Sequence, residues 1–221
     1  MRAARSTGAG GGGHRKRRPL AAVRPSRDDG QARLTLEIYL ARHGETEWSS
    51  SGRHTGSTDI PLTPKGEDKA KALRPRLTAL QFDVVYSSPM LRARRTAELA
   101  GFADPQISPL LQEVDYGRYE GLTSQQIHQQ DPGWELYKDG SPGGETPAQI
   151  YARAERFTEL ASSRGEGRVL AFAHGHILRA VGAAWIHADI TVATGLWLDV
   201  ATLCMLRDGE RGQVIALWNA S

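Results

Sequence analysis

The residues best suited to chemistry in this chain stand directly after apolar runs. Arg42-His43-Gly44 follows LTLEIYLA (34–41), Arg92 lies just beyond DVVYS (83–87), and His174-Gly175-His176 follows RVLAFA (168–173). A guanidinium presents a planar fork that matches phosphate oxygens. An imidazole serves as nucleophile, proton donor or cationic ligand near neutral pH. Cations gathered without partners are costly to bury, so this set calls for an anion, and a phosphoryl group suits it. A GxxxxGK[ST] loop is absent, which excludes a P-loop. The His174-x-His176 spacing also suits a metal pair, but neither a cysteine cluster nor an HExxH helix accompanies it, so no metal and no cofactor is expected.

The elements that must carry these residues alternate between strand and helix patterns. The three apolar runs read as strands, and RVLAFA is continuous enough to be buried on both faces. Thr63-Pro64 and Ser88-Pro89 each pair an N-cap with a proline at the first helical position. Pro75 predicts a break in the first of these helices. A short helix is expected over 125–130. Thr146-Pro147-Ala148-Gln149 is a capping box opening a helix to about Ser163, and a further helix spans roughly 177–187. Two last strands, 201–207 and 213–218, are expected to meet at Asp208-Gly209. This order predicts an α/β three-layer sandwich with a mostly parallel sheet, whose site lies beyond the carboxyl ends of the strands.

The chain has 221 residues, 39% apolar and 24% charged, the balance of a soluble globular domain. Its single cysteine, Cys204, excludes an internal disulfide framework. No run of 18 apolar residues exists to form a transmembrane helix, and no apolar signal core stands near the start. The net charge of +3 is unevenly placed: residues 1–33 hold nine Lys/Arg and two Asp, leaving residues 34–221 at −4. The expected organisation is a disordered, basic Gly/Arg-rich tail (1–33) and one catalytic domain (34–221). The tail also fits an organelle transit segment, though it lacks an amphipathic helix, or a nucleic-acid arm, though it lacks interleaved aromatics. The expectation is a cytoplasmic protein without nucleic-acid or membrane partners, with a twofold homodimer as the default assembly.

The segment Leu40-Ala41-Arg42-His43-Gly44-Glu45-Thr46-Glu47-Trp48 resembles the signature of the histidine phosphatase superfamily, the phosphoglycerate mutase-like proteins. It is followed in order by Thr55-Gly56, Asp59-Ile60-Pro61-Leu62-Thr63, Ser87-Ser88-Pro89, Arg92-Ala93, Glu113-Val114-Asp115-Tyr116-Gly117, Tyr119-Glu120-Gly121 and His174-Gly175-His176. The resemblance implies that His43 is the nucleophile that becomes phosphohistidine, Arg42 and Arg92 the phosphate clamp, His174 the second pocket histidine and Glu113 the proton donor. Thr55, Gly56, Tyr116, Gly175 and His176 fall at substrate-contacting positions. Ser49 stands where many members carry Asn and is included as a shorter-reaching donor. Glu120 reads as a loop anchor or a second acid. His54 reads as a substrate contact or a loop cap, and Asp139–Gly144 as a mobile rim over the pocket.

The superfamily runs hydrolysis and mutase chemistry on the same residues. Its mutase branch carries a long insertion between the acid and the second histidine, whereas Glu113 and His174 are only 61 residues apart here. The resemblance therefore favours a metal-independent phosphomonoesterase for small phosphorylated metabolites, similar to acid phosphatases and sedoheptulose-bisphosphatase-type enzymes. A mutase is the alternative, and an inactive phosphate-binding module a third. A bisphosphate substrate would need a second cationic patch, for which Arg53, His54, His176 and Arg179 are candidates.

Overall fold

The structure, a computed structural model, describes residues 35–221. The expectations for the tail concern residues outside that range. The elements run β1 (Leu36–Arg42), α1 (Glu47–Ser50), α2 (Pro64–Ala72), α3 (Arg74–Thr78), β2 (Val84–Ser87), α4 (Leu91–Leu99), β3 (Gln106–Ile107), α5 (Ser124–Gln130), α6 (Leu136–Asp139), α7 (Pro147–Ser162), β4 (Gly167–Ala173), α8 (Gly175–Trp185), β5 (Leu203–Gly209) and β6 (Gly212–Ala220). The six strands form one sheet in the order β3-β2-β4-β1-β5-β6. β1 to β4 pair in parallel, while β5 and β6 run antiparallel.

Alternation along the strands supplies two cores. Leu36, Ile38, Leu40, Val169 and Ala171 face the side covered by α7 and α8, through Ile150, Phe157, Leu178 and Val181. Ala41, Leu170 and Phe172 face the opposite side, against Leu73, Leu77 and Ala97 from the α2–α3–α4 region. β4 is central, and Val169 through Ala173 are all buried. This is the mixed α/β sandwich with a mostly parallel sheet that the strand–helix alternation predicts.

Local chemistry places the boundaries. Thr63 caps α2 through its hydroxyl, which accepts from the Gly66 N–H. Pro75 separates α2 from α3, having no N–H to continue the ladder. Thr146 and Gln149 close the box at the start of α7. Three expectations shift. Helix α4 begins at Leu91, not at Pro89, with Met90 in extended backbone as the N-cap. Helix α8 begins at Gly175, two residues early. The last hairpin turns at Glu210-Arg211, between strands that end at Gly209 and restart at Gly212. The two-residue β3 and the one-turn helices α1 and α6 have no periodic signal of their own, being too short to show one.

The register matters most for the site. Arg42 lies opposite Ala173, and Ser87 opposite Phe172. The ladders continue one residue further, His43 N–H to the Ala173 carbonyl and Ser88 N–H to the Phe172 carbonyl, both at 2.9 Å. His43, Ser88 and His174 therefore leave the sheet abreast.

Candidate active site

The His43 and His174 rings meet edge-on, with centroids 5.1 Å apart. His43 Nδ1–H donates to the Gly44 carbonyl at 2.7 Å, which leaves the Nε2 lone pair free. Burial and the flanking Arg42 and Arg92 charges hold the His43 pKa well below the usual imidazole range. His174 is pushed down in the same way, by burial first and Arg92 second. Its Nδ1 accepts from Arg92 Nε–H at 3.0 Å, so its Nε2 carries the proton and donates to Ser88 Oγ at 2.7 Å.

Arg92 is completely buried and widely engaged. Its Nη1 donates to the Thr58 carbonyl, and its Nη2 to the Thr55 and Gly56 carbonyls, each at 3.0 Å. Those carbonyls belong to a loop held from its other side by Glu120, whose carboxylate accepts from the Gly56 and Thr58 N–H groups. Gly56 is needed there, because a Cβ would press into the Val114 carbonyl and Glu120.

Arg42 differs. Its Nη1 donates to the Leu198 carbonyl, but its Nε–H is buried without a partner among the described residues. Burial also lowers the Arg42 pKa, opposed by the nearby Glu113. Glu113 sits at the N-terminus of α8. Its Oε1 accepts from Val114 and Ile177 N–H groups, and its Oε2 from His176 N–H, at 2.9–3.0 Å. These backbone donors fix the position of the Glu113 carboxyl at the first turn of α8, on the cavity wall.

A cavity of about 460 Å³ opens over this floor. Of the expected site residues, Arg42, His43, Ser49, Thr55, Glu113, Tyr116, Gly175 and His176 line it. Arg92, His174 and Gly56 stand behind the wall. Ser49 lines the cavity, but its hydroxyl closes the α1 capping box, donating to the Thr46 carbonyl and accepting from Thr46 N–H. His54 also lines the cavity; its Nδ1–H donates to the Leu122 carbonyl, and its ring stacks parallel on His176. Tyr116, kept neutral by burial, donates its O–H to His176 Nδ1 at 2.5 Å. His174 and His176 therefore turn to different partners.

The expected rim behaves otherwise. Trp134 and Tyr137 are buried, and Trp134 Nε1–H ties the Gly140 carbonyl down at 2.6 Å. Residues 139–144 do not line the cavity; Arg53, Arg179 and Trp197–Val200 do. Sequence reading missed two supports. Arg153 on α7 holds Glu145 in a two-pronged pair and donates to the Leu110, Gln112 and Glu113 carbonyls. Leu198 acts through a carbonyl alone. Neither an exposed-looking helix arginine nor a backbone oxygen leaves a sequence signal.

The model of the histidine phosphatase superfamily (branch 1) matches residues 38–221. The chain belongs to this superfamily. Among its relatives, the acid phosphatase of Mycobacterium tuberculosis is 38% identical over 179 residues, covering 79% of this chain and 88% of that protein. The sedoheptulose 1,7-bisphosphatase of Saccharomyces cerevisiae is 34% identical over 186 residues, 69% of this chain and 68% of that one. The solved structure of an open reading frame of M. tuberculosis superposes with a TM-score of 0.81 at 35% identity, covering 84% and 97% of the two chains. The family, with its phosphatase- and mutase-named relatives, supports an enzyme of the phosphatase and mutase type. Among the described residues no helix is long and apolar enough to cross a membrane.

Proposed function

We propose that the chain hydrolyses small phosphomonoesters through a phosphohistidine on His43, without a metal. The observation that carries this reading is that one cavity is lined both by His43, whose Nε2 is free, and by Arg42, whose buried Nε–H has no partner among the described residues. A buried guanidinium donor without an acceptor is costly, and a phosphoryl oxygen supplies the acceptor.

In the first step His43 Nε2 attacks phosphorus and the ester P–O bond breaks. The leaving alkoxide takes a proton from Glu113. In the second step a water oxygen bonds phosphorus and gives its proton to the Glu113 carboxylate. The P–N bond breaks, its electron pair returns to Nε2, and inorganic phosphate leaves. Arg42 holds the equatorial oxygens throughout. His174, neutral with its proton on Nε2, turns that donor toward the transferring group when Ser88 releases it. The phosphatase names of the relatives and the short Glu113–His174 spacing support hydrolysis over mutase transfer.

The test is phosphate release in excess EDTA from 4-nitrophenyl phosphate, sugar phosphates and 3-phosphoglycerate, alongside His43→Ala. Activity that survives chelation and disappears in the variant, with an acid-labile phosphoenzyme trapped by rapid quench, is the expected result. Activity retained in His43→Ala would overturn the mechanism. Interconversion of 2- and 3-phosphoglycerate without phosphate release would establish the mutase instead.

A further inference from the structure

Trp197 is the most exposed large apolar side chain among the described residues, at 66%, yet it lines the same cavity as His43 and Arg42. It is also held in place. Its indole Nε1–H donates to Asp199 Oδ1 at 3.0 Å, and its carbonyl accepts from Trp218 Nε1–H at 2.7 Å. Asp199 is gripped in turn by Asn219, which accepts from the Asp199 N–H at 2.7 Å and donates to its Oδ2 at 2.9 Å. Asn219 takes a left-handed backbone conformation to do so, one that asparagine tolerates better than most residues. These hydrogen bonds hold the Asp199 carboxyl below the usual carboxylate range, so the anchor stays ionised in mild acid.

The same loop is fastened to the phosphate floor. Leu198, next in the chain, accepts from the Arg42 guanidinium, and Ala201 N–H donates to the Arg42 and His43 carbonyls. The indole is therefore positioned relative to the nucleophile, not merely present at the surface. Leaving a large aromatic face in water forgoes its burial. Ordering it beforehand reduces the entropy lost when a ligand covers it.

We infer that the Trp197 indole is the platform on which the leaving alcohol of the substrate rests, and that the preferred substrates carry a flat ring face. An aromatic ring and the C–H face of a sugar ring share that chemistry. This inference rests on the phosphomonoesterase reading above and names the substrate class for the same cavity.

The experiment compares the full chain with Trp197→Ala and Trp197→Phe. Substrates are 4-nitrophenyl phosphate and a hexose monophosphate on one side, glycerol 3-phosphate and phosphoserine on the other. Trp197→Ala should lower the ring-to-linear ratio of kcat/KM about tenfold, and Trp197→Phe, which keeps a ring face but loses the bond to Asp199, should restore part of it. The ring substrate whose value falls further identifies the aromatic or the sugar source. A ratio that stays unchanged, whether both classes fall together or neither falls, would overturn the inference and leave Trp197 a structural wall. Equilibrium binding to the His43→Ala chain supplies a readout free of turnover. Adding Trp197→Ala should weaken a ring-bearing phosphomonoester relative to inorganic phosphate by about the same factor, and equal weakening of both would again overturn it. Failure of hydrolysis with retained ring selectivity in binding would count against the phosphatase reading alone.

Discussion

Arg92 and His174 are bonded to each other, Nε–H to Nδ1, at 3.0 Å. The bond decides which nitrogen of His174 carries its proton, and the remaining Arg92 donors hold the 55–58 loop. Resemblance alone would make Arg92 a direct phosphate ligand. Its geometry makes it first a positioning residue, with little donor capacity left over. Arg92→Lys keeps the charge but loses the planar fork. We expect kcat/KM to fall about 10²-fold, the scale of misplacing a reacting group by about 1 Å, with a lowered Tm. Steady-state kinetics and a thermal melt check this; a change under threefold would show that the fork is dispensable.

Glu120 acts at one remove from the same fork. Glu120→Gln keeps one acceptor oxygen but turns an NH₂ toward the Gly56 and Thr58 N–H groups. The expected cost is about 1–3 kcal/mol of stability for the mispaired donors, with kcat falling more than KM rises. If Glu120 were instead a second acid, the pH profile would lose a limb, and its shape separates the two roles.

Ser49→Ala should barely alter turnover. The hydroxyl belongs to the Thr46 capping box, so its loss should cost about 1 kcal/mol, read as a small drop in Tm. A tenfold loss of activity at unchanged Tm would instead make Ser49 a substrate donor.

The buried histidines set a pH dependence. His43, His174 and His176 all have folded-state pKa values pushed well below the ordinary imidazole value near 6.5, chiefly by burial. The unfolded chain takes up their protons below about pH 6.5 while the folded chain does not. Stability is therefore complete above that pH and is lost as pH falls from there toward the folded-state values, by up to about 1.4 kcal/mol per pH unit for each such group. Above its own lowered pKa His43 stays neutral, and so nucleophilic. Denaturant melts at pH 7.5 and 5.5 should show lower stability at 5.5, while kcat/KM shows no histidine limb near 6.5. A limb there beyond the substrate phosphate's own second ionisation near about 6 would mean that water reaches His43 and relieves the burial that lowers its pKa.

Much of this was legible in the sequence for physical reasons. Strand ends announce themselves where an apolar run stops at Arg42-His43 or His174, and a cap such as Thr63 or Thr146 acts within three residues of itself. A parallel sheet puts the carboxyl ends of its strands on one edge, so strand type alone placed His43 and His174 at the same end of the sheet. The ordered motifs from Arg42 to His176 carried the family.

What tertiary structure decided involves groups distant in sequence or without side-chain identity. Register placed His43 and His174 abreast, because a ladder's alignment depends on the whole sheet's packing and not on either strand. Arg42 pairs with a backbone carbonyl 156 residues away, and any residue type would supply that oxygen. The Trp197 loop depends on Asn219 from the last strand. Whether Ser49 serves a helix end or a ligand, and whether Trp134 covers the pocket or the core, turned on which partner lay within about 3 Å. Sequence supplies the donors and acceptors, and only the folded chain determines which of them meet.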